Sequence, residues 1–163
     1  QTLGLDEVEA VVRLILGGAS FAELHLSEDD IITFLQQPYV AGSTDGTIPE
    51  YGHGRAHPRS YGAFIRRLAR YVVHLGAVKM PFAIHTATGL AAEIIGIKDR
   101  GYLQPGQWAD IVVFDPRMLR DRATYNNPHQ YSQGILWVLV NGEVVIEEGK
   151  PNGRLAGRVL LKN

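Results

Sequence analysis

The sequence predicts an α/β fold in which helices alternate with buried strands, as in a parallel sheet or barrel, followed by a small β-sheet unit. Three observations carry this prediction. Up to about residue 60 the apolar periodicity runs helix, strand, helix, strand, the rhythm in which helices join parallel strands. The last of these strands breaks into small residues and delivers an aspartate, in Val40-Ala41-Gly42-Ser43-Thr44-Asp45-Gly46. Strands whose carboxyl ends open on a site behave in this way. Beyond Lys98 helical spacing gives way to short β-branched runs separated by turn residues.

Val8, Val11, Val12 and Ile15 fall at helical spacing over residues 6–16, and Gly17-Gly18 ends the pattern. Phe21, Ala22 and Leu24 predict a short buried strand, with His25 at its end. Ser27-Glu28-Asp29-Asp30 then supplies an N-cap serine and acidic first-turn residues to a second helix, carrying Ile31, Ile32, Phe34 and Leu35 and stopped by Pro38. The 40–43 run is the next strand. From Tyr61 onward Phe64, Ile65, Leu68, Tyr71, Val72 and Leu75 form one apolar stripe, with Arg66, Arg67 and Arg70 on the face expected to be solvated. Pro81 opens a further helical stretch broken near Gly89, and His74 and His85 are expected simply to pack within these helices. The later runs 110–114, 135–140, 144–146 and 158–160 read as strands. Asn141-Gly142 between two of them is a hairpin turn, because both residues tolerate positive φ.

Composition narrows the function classes. The 163 residues, 45% hydrophobic and 20% charged, are ordinary for a soluble globular protein. A net charge of −1 gives no basic face for nucleic acid, and no apolar run approaches the roughly 20 residues of a membrane span. The absence of cysteine excludes disulfides and thiolate metal ligands within the chain, and is compatible with a cytoplasmic protein. The start, Gln1-Thr2-Leu3-Gly4, has neither an initiator methionine nor signal-like regions, so the chain is expected to be part of something longer.

Candidate chemistry gathers between 40 and 62. Asp45 is a carboxylate carried into a pocket at a strand end, although Asp45-Gly46 is equally a turn dipeptide. The loop that follows holds Gly46, Gly52, Gly54, His53 and His57 before His57-Pro58-Arg59-Ser60-Tyr61-Gly62, and unstructured loops of that length are more often functional than not. His53 and His57 could line the site. His25 faces it if it ends an inner strand, and His129 is expected to be a structural hydrogen-bonder.

Several segments together carry a family resemblance. They are the aspartate after the 40–43 run, His57-Pro58-Arg59-Ser60-Tyr61-Gly62, Gly106-Gln107-Trp108-Ala109-Asp110-Ile111-Val112-Val113-Phe114-Asp115, Asn127-Pro128-His129-Gln130-Tyr131 and Val138-Leu139-Val140-Asn141-Gly142. With them the chain resembles, over nearly its whole length, the C-terminal third of the N-acyl-D-amino-acid deacylases, or D-aminoacylases, of the amidohydrolase superfamily. The resemblance implies the C-terminal strands and helices of a metal-dependent (β/α)8 barrel in residues 1–97, and part of a small β-sandwich domain in residues 98–163. It implies hydrolysis of the linear amide of an N-acyl-D-amino acid. Asp45 matches the family's catalytic aspartate, which takes a proton from the metal-activated water and passes it to the leaving amine. The family's Gly-Ser-Asp-Gly is here Gly-Ser-Thr-Asp-Gly, one residue longer. Arg59 matches the arginine that grips the substrate α-carboxylate, a task that suits a planar fork of N–H donors. Tyr61 and His57 flank it as further substrate-binding residues.

The family's zinc ligands, a cysteine and histidines, lie on earlier barrel strands, so no metal ligand set is expected within this chain. Asp45 would stand beside the metal. The partners implied are a small N-acyl amino acid and either the remaining barrel portion or another copy of this chain, without nucleic acid or membrane. The alternatives are a non-catalytic amidohydrolase-derived module needing a partner chain, and an amidohydrolase acting on a cyclic amide.

Overall fold

The computed structural model describes residues 4–18 and 26–160. The expected strand around 21–24 and His25 lie outside them. Helix α1, Glu7–Leu16, begins where Asp6 accepts the Val8 and Glu9 amides at 3.0 Å each, and it ends at Gly17. Helix α2, Glu28–Leu35, opens on a capping box in which Ser27 Oγ accepts the Asp30 amide and the Asp30 carboxylate accepts the Ser27 amide. These bonds to Ser27 hold the Asp30 carboxyl below its ordinary range.

The 40–43 segment is a correction to the expected strand. It belongs to no ladder among the described residues, and it is tied to the helix over Met80–Ala87 by the Gly42 N–H, which donates to the Thr86 carbonyl at 2.9 Å. A parallel strand is made by its neighbours, and the four-stranded sheet found here lies elsewhere in the chain.

Helix α3, Arg59–Arg66, runs directly into a π-helical segment, Arg67–His74, closed by a bond from Leu75 N–H to the Arg70 carbonyl. The expectation that three arginines form a solvated face fails at Arg67 and holds for Arg66 and Arg70, which stay partly exposed in ion pairs. Arg66 pairs with Asp121 at 3.0 Å and Arg70 with Glu28 at 2.8 Å, while Arg67 is only 8% exposed and donates to Thr86 Oγ1. Its guanidinium lies so close to residue 42 that a Cβ there would stand 2.7 Å from Arg67 Nη1, which explains Gly42. Burial lowers the Arg67 pKa, and its Nε has no hydrogen-bond partner among the described residues. The Arg70 hydrogen bond, seconded by Tyr71, brings the Glu28 carboxyl down to about 2. A depressed carboxyl stabilises above its unfolded value, so the bond from α2 to the π-helical segment persists until pH falls through about 2.

Helices α4, Met80–Ala87, and α5, Gly89–Ile95, are separated at Thr88, and α5 ends at Gly96 in the left-handed region, with φ 86°. His74 and His85 are exposed rather than packed, His74 at the end of the π-helical segment and His85 beside the Tyr102 ring at 6.2 Å between centres. The sheet has the order β1 (Ile111–Phe114), β2 (Ile135–Val140), β3 (Glu143–Glu147), β4 (Lys150–Pro151), antiparallel throughout. Asn141 and Gly142 form the β2–β3 turn with φ of 53° and 85°, the mirror-image turn whose twist matches that of the strands. Residues 158–160, expected as a strand, instead belong to an extended tail. It docks through the Arg158 guanidinium, 3.7 Å from the Trp108 ring centre, and through Asn141 Nδ2, which donates to the Ala156 carbonyl.

The core is small, with Ala69, Tyr71, Val78, Ala83, Ala92, Leu119 and Ala123 as its buried hydrophobic members. Every large apolar residue of α1, from Val8 to Leu16, is exposed. An apolar stripe of that length on a helix calls for a covering surface. Immediately before β2, Gly134 has φ 92°, and a Cβ on it would approach the Leu119 amide nitrogen to 2.6 Å. Gly134→Ala is expected to cost about 3 kcal/mol of stability, read as a lowered denaturant midpoint at unchanged slope.

Candidate functional site

The loop leaving Gly42 is shaped by short local bonds. Thr44 Oγ1 accepts the Gly46 amide at 3.1 Å, and Ser60 Oγ accepts the Thr47 amide at 3.2 Å, drawing the loop against the first turn of α3. Asp45 sits between them with φ 47°, a left-handed conformation that aspartate tolerates better than most residues. Its Oδ2 lies 2.9 Å from Arg59 Nη2. The two side chains are 85% and 43% exposed, so the pair is weakly held and open to exchange with another carboxylate.

His57 completes the group from below the helix. Its Nδ1 accepts the Arg59 amide at 3.1 Å, capping α3, and its ring meets Tyr125 edge-on with centres 5.1 Å apart. Burial, and then the Arg59 charge, lower the His57 pKa against an opposing pull from Asp45. The imidazole is therefore held neutral, with Nδ1 free to accept. His57 and Arg59 line an open groove of about 530 Å³, whose apolar floor includes Ile31, Leu35, Phe64 and Tyr71. Arg66 and the buried Arg67 face the same groove.

Tyr61 is placed differently. It lines a separate cavity of about 290 Å³ with Thr47, Ile48, Tyr51 and Tyr131, and its hydroxyl meets His129 Nδ1 at 2.9 Å. Burial, with Tyr131 and Tyr51 beside it, raises its pKa. Asp45, Arg59 and His57 thus come together, while Tyr61 turns to another cavity two residues along the same helix. His53 is exposed, 3.8 Å from Glu50. Sequence reading missed Tyr125 beside His57, Asp121 beside Arg66, and the stack of Tyr51 on Tyr131, whose centres are 5.0 Å apart. The Asn127-Pro128-His129-Gln130-Tyr131 motif was the one available signal for any of these. Among the described residues no three His, Asp or Glu side chains gather as a metal site, so those residues alone do not fit a divalent metal.

A family model described as "Amidohydrolase family" matches residues 33–146. A D-aminoacylase of Alcaligenes xylosoxydans xylosoxydans is 44% identical over 160 residues, covering 98% of this chain and 32% of its own length. A solved structure of D-aminoacylase superposes with a TM-score of 0.77 at 39% identity, over 84% of this chain and 28% of that one. An N-acyl-D-glutamate deacylase from Bordetella bronchiseptica, solved with zinc and a phosphonate mimic of the tetrahedral intermediate, gives a TM-score of 0.69 at 41% identity, over 77% and 27%. The chain spans about a third of the length of the N-acyl-D-glutamate deacylase, N-acyl-D-aspartate deacylase and D-aminoacylase it matches.

Proposed function

This chain belongs to the amidohydrolase family, and from that premise we propose that it is the C-terminal portion of a metal-dependent deacylase that hydrolyses the linear amide of N-acyl-D-amino acids. On this reading residues 1–97 supply the closing elements of a (β/α)8 barrel and residues 98–163 part of the small β domain. The rest of the barrel, as the partner, brings the metal ligands. A cytoplasmic setting belongs to the same reading, and the cysteine-free sequence of this portion is compatible with it.

The observation that carries the proposal is the Asp45–Arg59 pair at 2.9 Å beside the groove. One residue suits proton transfer and the other suits carboxylate recognition, and both sit on a loop end and a helix start that hold them together. A zinc ion, as in the Bordetella relative, supplies activation of the attacking water when bound. Arg59 takes the α-carboxylate of the substrate in its fork and gives up Asp45 in exchange. Asp45, released, accepts a proton from the attacking water at its free carboxylate oxygen and returns it to the leaving nitrogen. His57 keeps Arg59 at the head of α3 by accepting its amide hydrogen.

The test is reassembly. This chain, produced together with the other two-thirds of the D-aminoacylase it is similar to, is expected to release acetate from an N-acetyl-D-amino acid and not from its L-enantiomer. The chain by itself is expected to bind no stoichiometric zinc, to hydrolyse neither substrate, and to associate through the bare stripe of α1. A monodisperse monomer by light scattering, or equal hydrolysis of both enantiomers by the reassembled enzyme, would contradict the reading.

A further inference from the structure

His129 reaches the 46–58 loop from a segment more than 70 residues away in sequence, and it makes three polar contacts there. Gly52 N–H donates to Nδ1 at 3.2 Å, the Tyr61 hydroxyl meets the same nitrogen at 2.9 Å, and Nε2 meets the Gly54 carbonyl at 3.1 Å. A backbone N–H can only donate and a carbonyl can only accept, so the contacts fix the tautomer. The proton is on Nε2, Nδ1 accepts, and the Tyr61 hydroxyl is a donor. The ring is also wedged edge-on between Tyr51 and Tyr61, at 6.0 and 5.6 Å between centres. One half-buried side chain therefore ties two glycines of the loop, both at positive φ (80° and 64°), to the first turn of α3.

Those glycines would otherwise be the least restrained part of the loop. Gly52, Gly54, Gly46 and Thr47 lie between Asp45 and Arg59, the two residues whose meeting the proposed function needs. The loop is tied to α3 at Thr47 through Ser60 and again at His57 through the Arg59 amide. His129 supplies the tie between these two, and supplies it from the part of the chain that carries the sheet.

We propose that His129 is a positioning residue: by clasping Gly52 and Gly54 it sets the 46–58 loop, and through it the placement of Arg59 for the substrate carboxylate. The second half of this statement rests on the reading of Arg59 given above. The first half stands on the three contacts alone. Asparagine at 129 carries an acceptor near the Nδ1 position and no group at Nε2, whereas glutamine carries a donor near Nε2 and nothing at Nδ1. The three substitutions Ala, Asn and Gln therefore dissect the clasp.

Hydrogen exchange at the Gly52 amide, measured by NMR on the reassembled enzyme with only this chain isotope-labelled, reads the first half. It is expected to be at least tenfold faster in His129→Ala and His129→Gln than in the wild type, and restored toward the wild-type rate in His129→Asn. Trypsin cleavage after Arg55 is expected to follow the same order. In the reassembled enzyme His129→Ala is expected to raise KM severalfold for N-acetyl-D-amino acids with little change in kcat, with partial rescue by Asn. Unchanged Gly52 exchange in His129→Ala, or equal exchange in Asn and Gln variants, overturns the clasp. Faster exchange with unaltered KM leaves the clasp in place and overturns its link to substrate binding. Loss of all hydrolysis in the wild-type assembly would instead count against the deacylase reading, and the exchange data would still decide the clasp.

Discussion

In the reassembled enzyme Asp45→Asn is expected to keep metal and substrate binding while losing at least about a hundredfold in turnover. The substitution preserves shape and removes the group that accepts and returns the proton. It also removes the charge that Arg59 holds at 2.9 Å, so the empty enzyme carries an unpaired guanidinium at the groove. KM is therefore expected to stay level or fall, since the substrate carboxylate no longer competes with Asp45 for the fork. Unchanged turnover would mean that the residue inserted before Asp45, Thr44, has turned its side chain away from the chemistry. Steady-state kinetics alongside metal analysis of the same preparation separates these outcomes.

Arg59→Lys is expected to cost about one to three kcal/mol in kcat/KM for substrates with a free α-carboxylate, roughly five- to 150-fold. A lysine ammonium preserves the charge but loses the two parallel hydrogen bonds that fix the orientation of the amino acid. The loss is expected to be selective: acylated amines that lack the carboxylate should be hydrolysed as poorly by the variant as by the wild type. Equal losses on both substrate types would reassign Arg59 to holding Asp45 and the head of α3. Comparing kcat/KM for an N-acetyl-D-amino acid and the matching N-acetyl amine in both proteins provides the measurement.

What could be read in the sequence divides along the range of the interactions involved. The start of α2 was legible because Ser27 acts on an amide three residues away, α1 because its apolar residues keep helical spacing up to Gly17, and the β2–β3 turn because Asn141 and Gly142 carry their own positive φ. Asp45, His57 and Arg59 were legible as a group from their motifs, and they do lie together. The 40–43 run was legible only as an apolar stretch, since pairing depends on neighbours the run does not encode. Arg67 could not have been read as buried, because what covers it, Thr86 and the backbone at Gly42, comes from other parts of the chain that helical periodicity does not reveal. Tyr125 and Asp121 reach the groove from another part of the chain, where no local pattern marks them, and Tyr131 was marked only by the motif it ends, without its stack on Tyr51. His129 was recognised as a hydrogen-bonder, and its partners were not.

The π-helical segment at Arg67–His74 has a consequence for how this helix can vary in length. A ring closed from residue i to i+5 contains one residue more than an α turn, so a chain that has gained a residue can store it there without displacing either flank. Upstream of the segment lies Arg59 at the head of α3, and downstream lie the buried Val78 and Ala83. Removing one residue from the wide turn without restoring α geometry would rotate the upstream half by about 100° relative to the downstream half, carrying Arg59 away from Asp45. A homologue one residue shorter in this stretch can therefore keep both ends in place by running as an ordinary α-helix, which makes this the point where insertions and deletions are absorbed with least disturbance to the groove.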